Sequence, residues 1–206
     1  MNPRPGRPQE TTRDSLLAVA LRLFAHNGYR GTTIREVTAL ANANLGAVTY
    51  HFGTKEELYR QVLESVLGPL KDRVSAASRL EAPPLDRIEA MVRAIFAHIR
   101  EHPEMPALMV RELASGQAPH HQILTTFREA LPLLVGMIRD GQRDGSIREG
   151  DPVLLALSTL AQPIYLNLAR PVISRVAGVD PQHGDDSDRI VEHVAATVRA
   201  QLGRRP

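Results

Sequence analysis

The chain has 206 residues, long enough to bury one large core or two smaller ones. Hydrophobic residues make up 43% and charged residues 23%, which excludes a disordered chain, and the lack of cysteine excludes disulfides, thiolate metal sites and cysteine nucleophiles. Net charge is only +2, yet residues 1–55 hold seven Arg/Lys against three Asp/Glu, so a cationic N-terminal segment precedes a slightly acidic remainder.

The first eight residues contain three prolines and a glycine, so residues 1–11 read as a flexible basic arm. No apolar leader opens the chain and no apolar run reaches the roughly 18 residues of a membrane span, so a cytoplasmic protein with no membrane partner is expected. From Thr12, Leu16, Ala20, Leu23 and Phe24 recur at helical spacing until Asn27-Gly28 supplies a stop. Thr33 then caps a second helix whose Ile34, Val37, Leu40 and Ala41 share a face. Asn42-Ala43-Asn44 makes a tight turn with Asn44 as the next cap. A third helix, Leu45 to about Phe52, is so short that packing must hold it. Gly53-Thr54 ends it and caps a fourth, Lys55 to about Leu80, expected to break or bend near Gly68-Pro69.

Further helices are predicted at about 85–101, 104–115, 120–141, 151–177 and 187–202, separated by Pro103, Gly116 to Pro119, Gly145 to Gly150 and Gly178 to Asp186. The fold class is therefore all-α with about nine helices. A head over 12–55 is joined by helix four to a larger helical body over 56–206.

Two short helices joined by a tight turn, the second capped by a polar residue and rich in small side chains, form a helix-turn-helix pattern. Val48 and Phe52 should face the core, leaving Leu45, Ala47, Thr49, Tyr50 and His51 on other faces. The same spacing also describes an ordinary helical connector. The stretch Gly31-Thr-Thr-Ile-Arg-Glu-Val-Thr, then Ala41 to Asn44 and Gly46-Ala-Val-Thr-Tyr-His-Phe-Gly-Thr-Lys-Glu-Glu-Leu58-Tyr59, resembles the DNA-binding head of the TetR family of regulators. The likeness covers residues 12 to about 60, and beyond that consists of length and helicity. It implies a homodimer that binds a double-stranded DNA operator and answers to a small-molecule inducer; no cofactor is expected. Thr49 stands where many members carry an aromatic residue, and Leu45 where a polar side chain is common, so no operator sequence can be transferred.

Physics assigns roles within that head. Lys55 and Thr33 place donors at helix N-termini and suit phosphates. Asn44, Tyr50 and His51 offer further polar contacts, although His51 also fits a half-buried histidine holding the turn. Thr49, Ala47 and Leu45 offer a hydroxyl and methyls, favouring thymine methyl contacts, with part of the specificity left to DNA shape. The segment Pro3-Arg4-Pro5-Gly6-Arg7-Pro8 resembles a minor-groove hook with Pro5 intruding, and reads equally well as a solvated tail.

In the body, Ile190, Val194, Val198 and Leu202 form an i, i+4 stripe, and Val153, Leu157, Leu160 and Ile164 a matching face; the resemblance makes these a dimer interface, and an internal core is the alternative. Candidate inducer contacts are Met109, Arg111 and Glu112, with Phe127, Met137 and Tyr165 on neighbouring helices. His98-Ile-Arg-Glu101-His102 matches an inverted zinc-peptidase pattern, and His120-His121 is a second histidine pair, but nothing in the sequence fixes a third ligand, so neither catalysis nor a metal is assigned.

Overall fold

The computed structural model describes residues 12–114 and 120–204; the basic arm and the Gly116 to Pro119 separator lie outside them. The helices are α1 (Thr12–Gly31), α2 (Ile34–Leu40), α3 (Leu45–Phe52), α4 (Lys55–Ser78), α5 (Pro84–Glu101), α6 (Met105–Ala114), α7 (His121–Asp144), α8 (Pro152–Leu168), α9 (Arg170–Ala177) and α10 (Gly184–Leu202). Among the described residues the sole β interaction is an isolated antiparallel bridge between Ile147 and Gly203. Two compact units divide the chain, one up to Ser65 and one from Val66. The head thus extends ten residues past the expected 55. The reason lies in α4, whose buried Tyr59 packs edge-on against Phe24 and tilted against Tyr29, with ring centroids 4.7 and 5.0 Å apart.

In the first unit α1 buries Leu16, Val19, Ala20 and Phe24. It turns at Gly28, whose φ of 76° an L side chain rarely adopts. Thr32 Oγ1 donates to the Gly28 carbonyl at 2.9 Å and fixes the exit. α2 opens with a reciprocal capping box: Glu36 N–H donates to Thr33 Oγ1 at 3.2 Å, and Thr33 N–H donates to Glu36 Oε2 at 2.7 Å. Asn42, at φ 52°, makes the turn into α3. Gly53, at φ 75°, ends α3, and Thr54 Oγ1 accepts from Glu57 N–H at 3.1 Å to cap α4.

In the second unit α5 is central and packs on α7, α8 and α10 through Ile88, Met91, Val92, Ile95, Phe96 and Ile99. Ion pairs fasten α10 along it: Arg93 with Glu192, Arg100 with Asp188 at 3.1 Å, and Arg199 with both Asp86 and Glu89. The break or bend expected near Gly68-Pro69 does not interrupt α4, which continues through Pro69, and Pro132 and Pro163 also lie inside helices that continue through them. Packing outweighs the lost hydrogen bond at each. The single helix expected over 151–177 is instead two, meeting at 68°. Pro171 sits in the first turn of α9, where its missing N–H costs nothing. Arg170 is anchored there by donating to both carboxylate oxygens of Asp180, at 2.7 and 2.9 Å. Among the described residues no single helix is long and apolar enough to cross a membrane, and the bent α8–α9 pair passes that test only jointly.

The α10 stripe requires a correction. Val194, Val198 and Leu202 are at most 2% exposed within one subunit, so these side chains are internal core and cannot form a dimer face; Ile190 is half-buried. The periodicity was that of a core helix packed on α5. On α8 the core face is Leu155, Ala156, Thr159, Pro163 and Asn167. Leu154, Leu157, Ala161, Tyr165 and Leu168 line the opposite face and are exposed, with Leu154 at 62% and Tyr165 at 65%.

Candidate nucleic-acid interface

α3 is two-faced. Val48 and Phe52 anchor it in the head, and Ala47 joins them at 9% exposure, so Ala47 is not on the open face that the sequence suggested. A helix of eight residues is held by packing rather than by propensity, and Ala47, Val48 and Phe52 are the residues it buries. The open face carries Leu45, Thr49 and Tyr50, the last 85% exposed, with His51 half-buried and its ring edge against Tyr50 at 4.9 Å. An apolar Leu45 and an aromatic Tyr50 left bare on a helix this short are costly in water and are the side chains a groove would cover.

Asn44 has the extended backbone of an N-cap, but its side chain makes no cap hydrogen bond; it is exposed. The start of α3 is closed instead by Ala47 N–H donating to the Asn44 carbonyl at 3.0 Å. The Asn44 amide is not spent on the α3 cap. Thr33 differs. Its N–H and hydroxyl both donate to the Glu36 carboxylate, at 2.7 and 2.8 Å, so the donors that suggested a phosphate contact are already engaged. Those bonds hold the Glu36 carboxyl below its usual range, the backbone bond first.

Lys55, in the first turn of α4, holds its ammonium 4.5 Å over the Tyr29 ring. Partial burial lowers its pKa, and the field of Glu36 opposes that shift. Tyr29 is the positioning residue that sequence reasoning missed. Its only signal was an aromatic residue directly after the Gly28 stop, which now proves to stack on Phe24 at 6.1 Å and to support Lys55. Arg30 and Arg35 add exposed cations to the head. A short helix with an open face, preceded by a capped helix and followed by a positioned lysine, is the apparatus of a DNA-binding helix-turn-helix protein.

The comparisons with known proteins agree with that class. Residues 16–62 match the family described as bacterial regulatory proteins, tetR family, and residues 84–198 match the family described as tetracyclin repressor-like, C-terminal domain. The transcriptional repressor NicS of Pseudomonas putida is 30% identical over 176 residues, covering 83% of this chain and 82% of its own. The repressor KstR2 of Rhodococcus jostii is 31% identical, with 75% and 76% covered. The structure of the ketosteroid transcriptional regulator KstR2 of Mycobacterium tuberculosis superposes with a TM-score of 0.80 at 21% identity, over 98% of this chain and all of that one. The chain belongs to the TetR family of bacterial transcriptional regulators.

The residues singled out in the body fare unevenly. Met109 and Met137 are buried, and Phe127 and Glu112 half-buried. Glu112 accepts a hydrogen bond from His120 N–H at 3.1 Å, which ties α6 to the start of α7. Arg111 and Tyr165 are exposed and do not face an internal pocket; helical spacing put them near apolar neighbours without revealing which way they point. A groove of about 770 Å³ does open between α8 and α10, lined by Leu155, Ser158, Thr159, Thr197, Gln201 and residues near the Ile147 bridge. None of the predicted inducer contacts lines it. Leu157 is exposed and Leu160 half-buried on α8.

Proposed function

We propose that this protein is a homodimeric, cytoplasmic transcriptional repressor that leaves a near-palindromic operator when a small, largely apolar inducer binds its body. The observation that carries the reading is α3, whose Leu45, Thr49 and Tyr50 stand open beside Lys55 on a head of the TetR family. In the DNA complex Thr49 and Leu45 read base edges, with thymine methyls as natural partners. Lys55, Asn44, Tyr50 and His51 take phosphates and fix register, and the Thr33 capping box keeps α2 rigid against α3 rather than touching DNA itself.

Two heads reach successive major grooves only if two chains associate, with centres about 34–36 Å apart or a multiple of that. The dimer face in this reading is the exposed α8 stripe of Leu154, Leu157, Ala161, Tyr165 and Leu168, flanked by Leu160 and Ile190. The outward side of α10 adds Ala196 and Ala200, small enough for a second copy's helices to approach closely. The inducer reading rests on buried Met109 on α6 and on buried Met137 and half-buried Phe127 on α7, since thioethers reshape readily around apolar guests. An inducer that favours a body conformation with a different head spacing weakens DNA binding by about 1–3 kcal/mol, and DNA weakens the inducer equally.

The test is binding to DNA upstream of the protein's own and neighbouring genes, followed by a release screen with small molecules. A specific complex that an apolar compound dissociates supports both halves. Specific binding that no compound disturbs removes the inducer half, and absence of any specific DNA complex removes the whole.

A further inference from the structure

His98, Glu101 and His102, at the C-terminal end of α5, take no part in DNA binding or in the proposed dimer face. His98 is 0% exposed, and neither of its ring nitrogens makes a hydrogen bond of standard geometry, although the Val66 backbone lies close enough to act on the ring. A buried imidazole nitrogen left without a full hydrogen bond is costly, which marks this ring as one that a further partner would complete. Burial pushes its pKa down to about 4, with the field of neighbouring His102 and Arg73 acting in the same direction and the Val66 backbone and Glu101 opposing. A neutral imidazole keeps a lone pair on one of its two nitrogens.

That lone pair is not isolated. His102 leaves the helix at φ −129°, ψ 68°, which turns its ring back to within 4.5 Å of the His98 ring, centroid to centroid. Donor atoms of His98, His102 and Glu101 lie within 4.8 Å of one another. Zinc-type bonds of about 2.0–2.2 Å need donors closer together than that, so closure requires an inward swing of roughly an ångström. His102 is half-exposed and Glu101 exposed, so both can swing toward the fixed His98. Arg73 on α4 donates from Nη2 to Glu101 Oε2 at 2.5 Å, which orients the carboxylate and leaves Oε1 for a cation.

We propose that His98, His102 and Glu101 form a binding site for one divalent transition metal ion of the imidazole-preferring kind, such as Zn²⁺, Co²⁺ or Ni²⁺, with Arg73 as the outer partner of Glu101 and water in the remaining positions. Two imidazoles and one carboxylate select these ions over Mg²⁺ or Ca²⁺, which prefer all-oxygen sites. The ion completes His98 and pins the end of α5 through its cap residue His102, one residue before Pro103 and three before α6 begins.

The experiment is a Co²⁺ titration of the full chain, free of any histidine tag and stripped of metal with a chelator, read by visible ligand-field absorption. One Co²⁺ per chain is expected, displaced by Zn²⁺. Loss of an outer partner alone costs metal sites about 10–100-fold in affinity, so removing a ligand with His102→Gln or Glu101→Gln should cost at least as much. Both residues lie at the surface side of the cluster, so these variants fold, and circular dichroism verifies it. His121→Gln, which alters an exposed histidine elsewhere, should leave the titration unchanged. Absence of cobalt bands, or bands that survive His102→Gln or disappear with His121→Gln, would overturn the site.

Discussion

Replacing Val194 by Ala separates internal core from dimer interface. The side chain is 2% exposed on the α10 face that packs against α5, within one subunit. Truncation removes two methyl groups, each worth about 0.8 kcal/mol in transfer, and leaves a small cavity that adds to the loss, giving about 1.5–3 kcal/mol. For a chain of this length each kcal/mol moves Tm by about 2–4 °C, so a fall of roughly 3–12 °C is expected. Leu157→Glu is the counterpart. It places a charge on the exposed α8 stripe, where the isolated subunit has water around it and a dimer would not. Thermal melts and sedimentation equilibrium should therefore part company: Val194→Ala melts earlier and still sediments as a dimer, whereas Leu157→Glu sediments as a folded monomer. If Val194→Ala instead dissociated the dimer with its melting temperature intact, the assignment of α10's inner face to the core would be wrong.

Other outcomes follow from the head and from the α9–α10 connection. Lys55→Ala should weaken DNA binding across sequences and reduce the salt slope by about 0.9, as one phosphate contact is lost; an unchanged slope takes Lys55 out of the interface. Thr33→Ala should cost about 0.5–2 kcal/mol of stability through loss of the capping box, yet leave that slope unchanged, because its donors already serve Glu36. Thr49→Val should change which base pairs are preferred in a binding-site selection, and a uniform loss of affinity would contradict direct reading. Asp180→Asn tests a charge. Hydrogen bonds from Arg170 hold the Asp180 carboxyl far below its usual range, so its stabilisation is complete above pH ~4 and is lost as pH falls further. The variant should lose about 1–2 kcal/mol at pH 7 and show a flatter acid unfolding curve, and a parallel acid limb would count against the clamp.

The head was legible because its signals are local. Thr33 and Glu36 lie three residues apart and can cap α2 whatever surrounds them, and Gly28 and Gly53 both adopt the positive φ that their places after a helix suggested. The body was legible only in outline. Helical period identifies an apolar face but not what covers it, which is why Val194, Val198 and Leu202 read as a dimer stripe and proved to be covered by their own subunit. The same blindness put Arg111 and Tyr165 in a pocket when both point outward. Breaks were hard to place for a different reason: Pro69, Pro132 and Pro163 are tolerated by packing, while the turn at Ala169 depends on the Arg170–Asp180 pair, ten residues apart. Tyr29 escaped notice because its role is to hold a side chain 26 positions away.

The central claim, that α3 delivers this chain to a defined DNA sequence as part of a dimer, is tested most directly by footprinting the purified protein on the DNA upstream of its own gene. The account predicts protection of a near-palindrome whose half-sites are about one helical turn apart or a multiple of that, lost on Leu157→Glu and shifted to higher protein concentration by Lys55→Ala. Protection spread evenly along the fragment and abolished by moderate salt would contradict it.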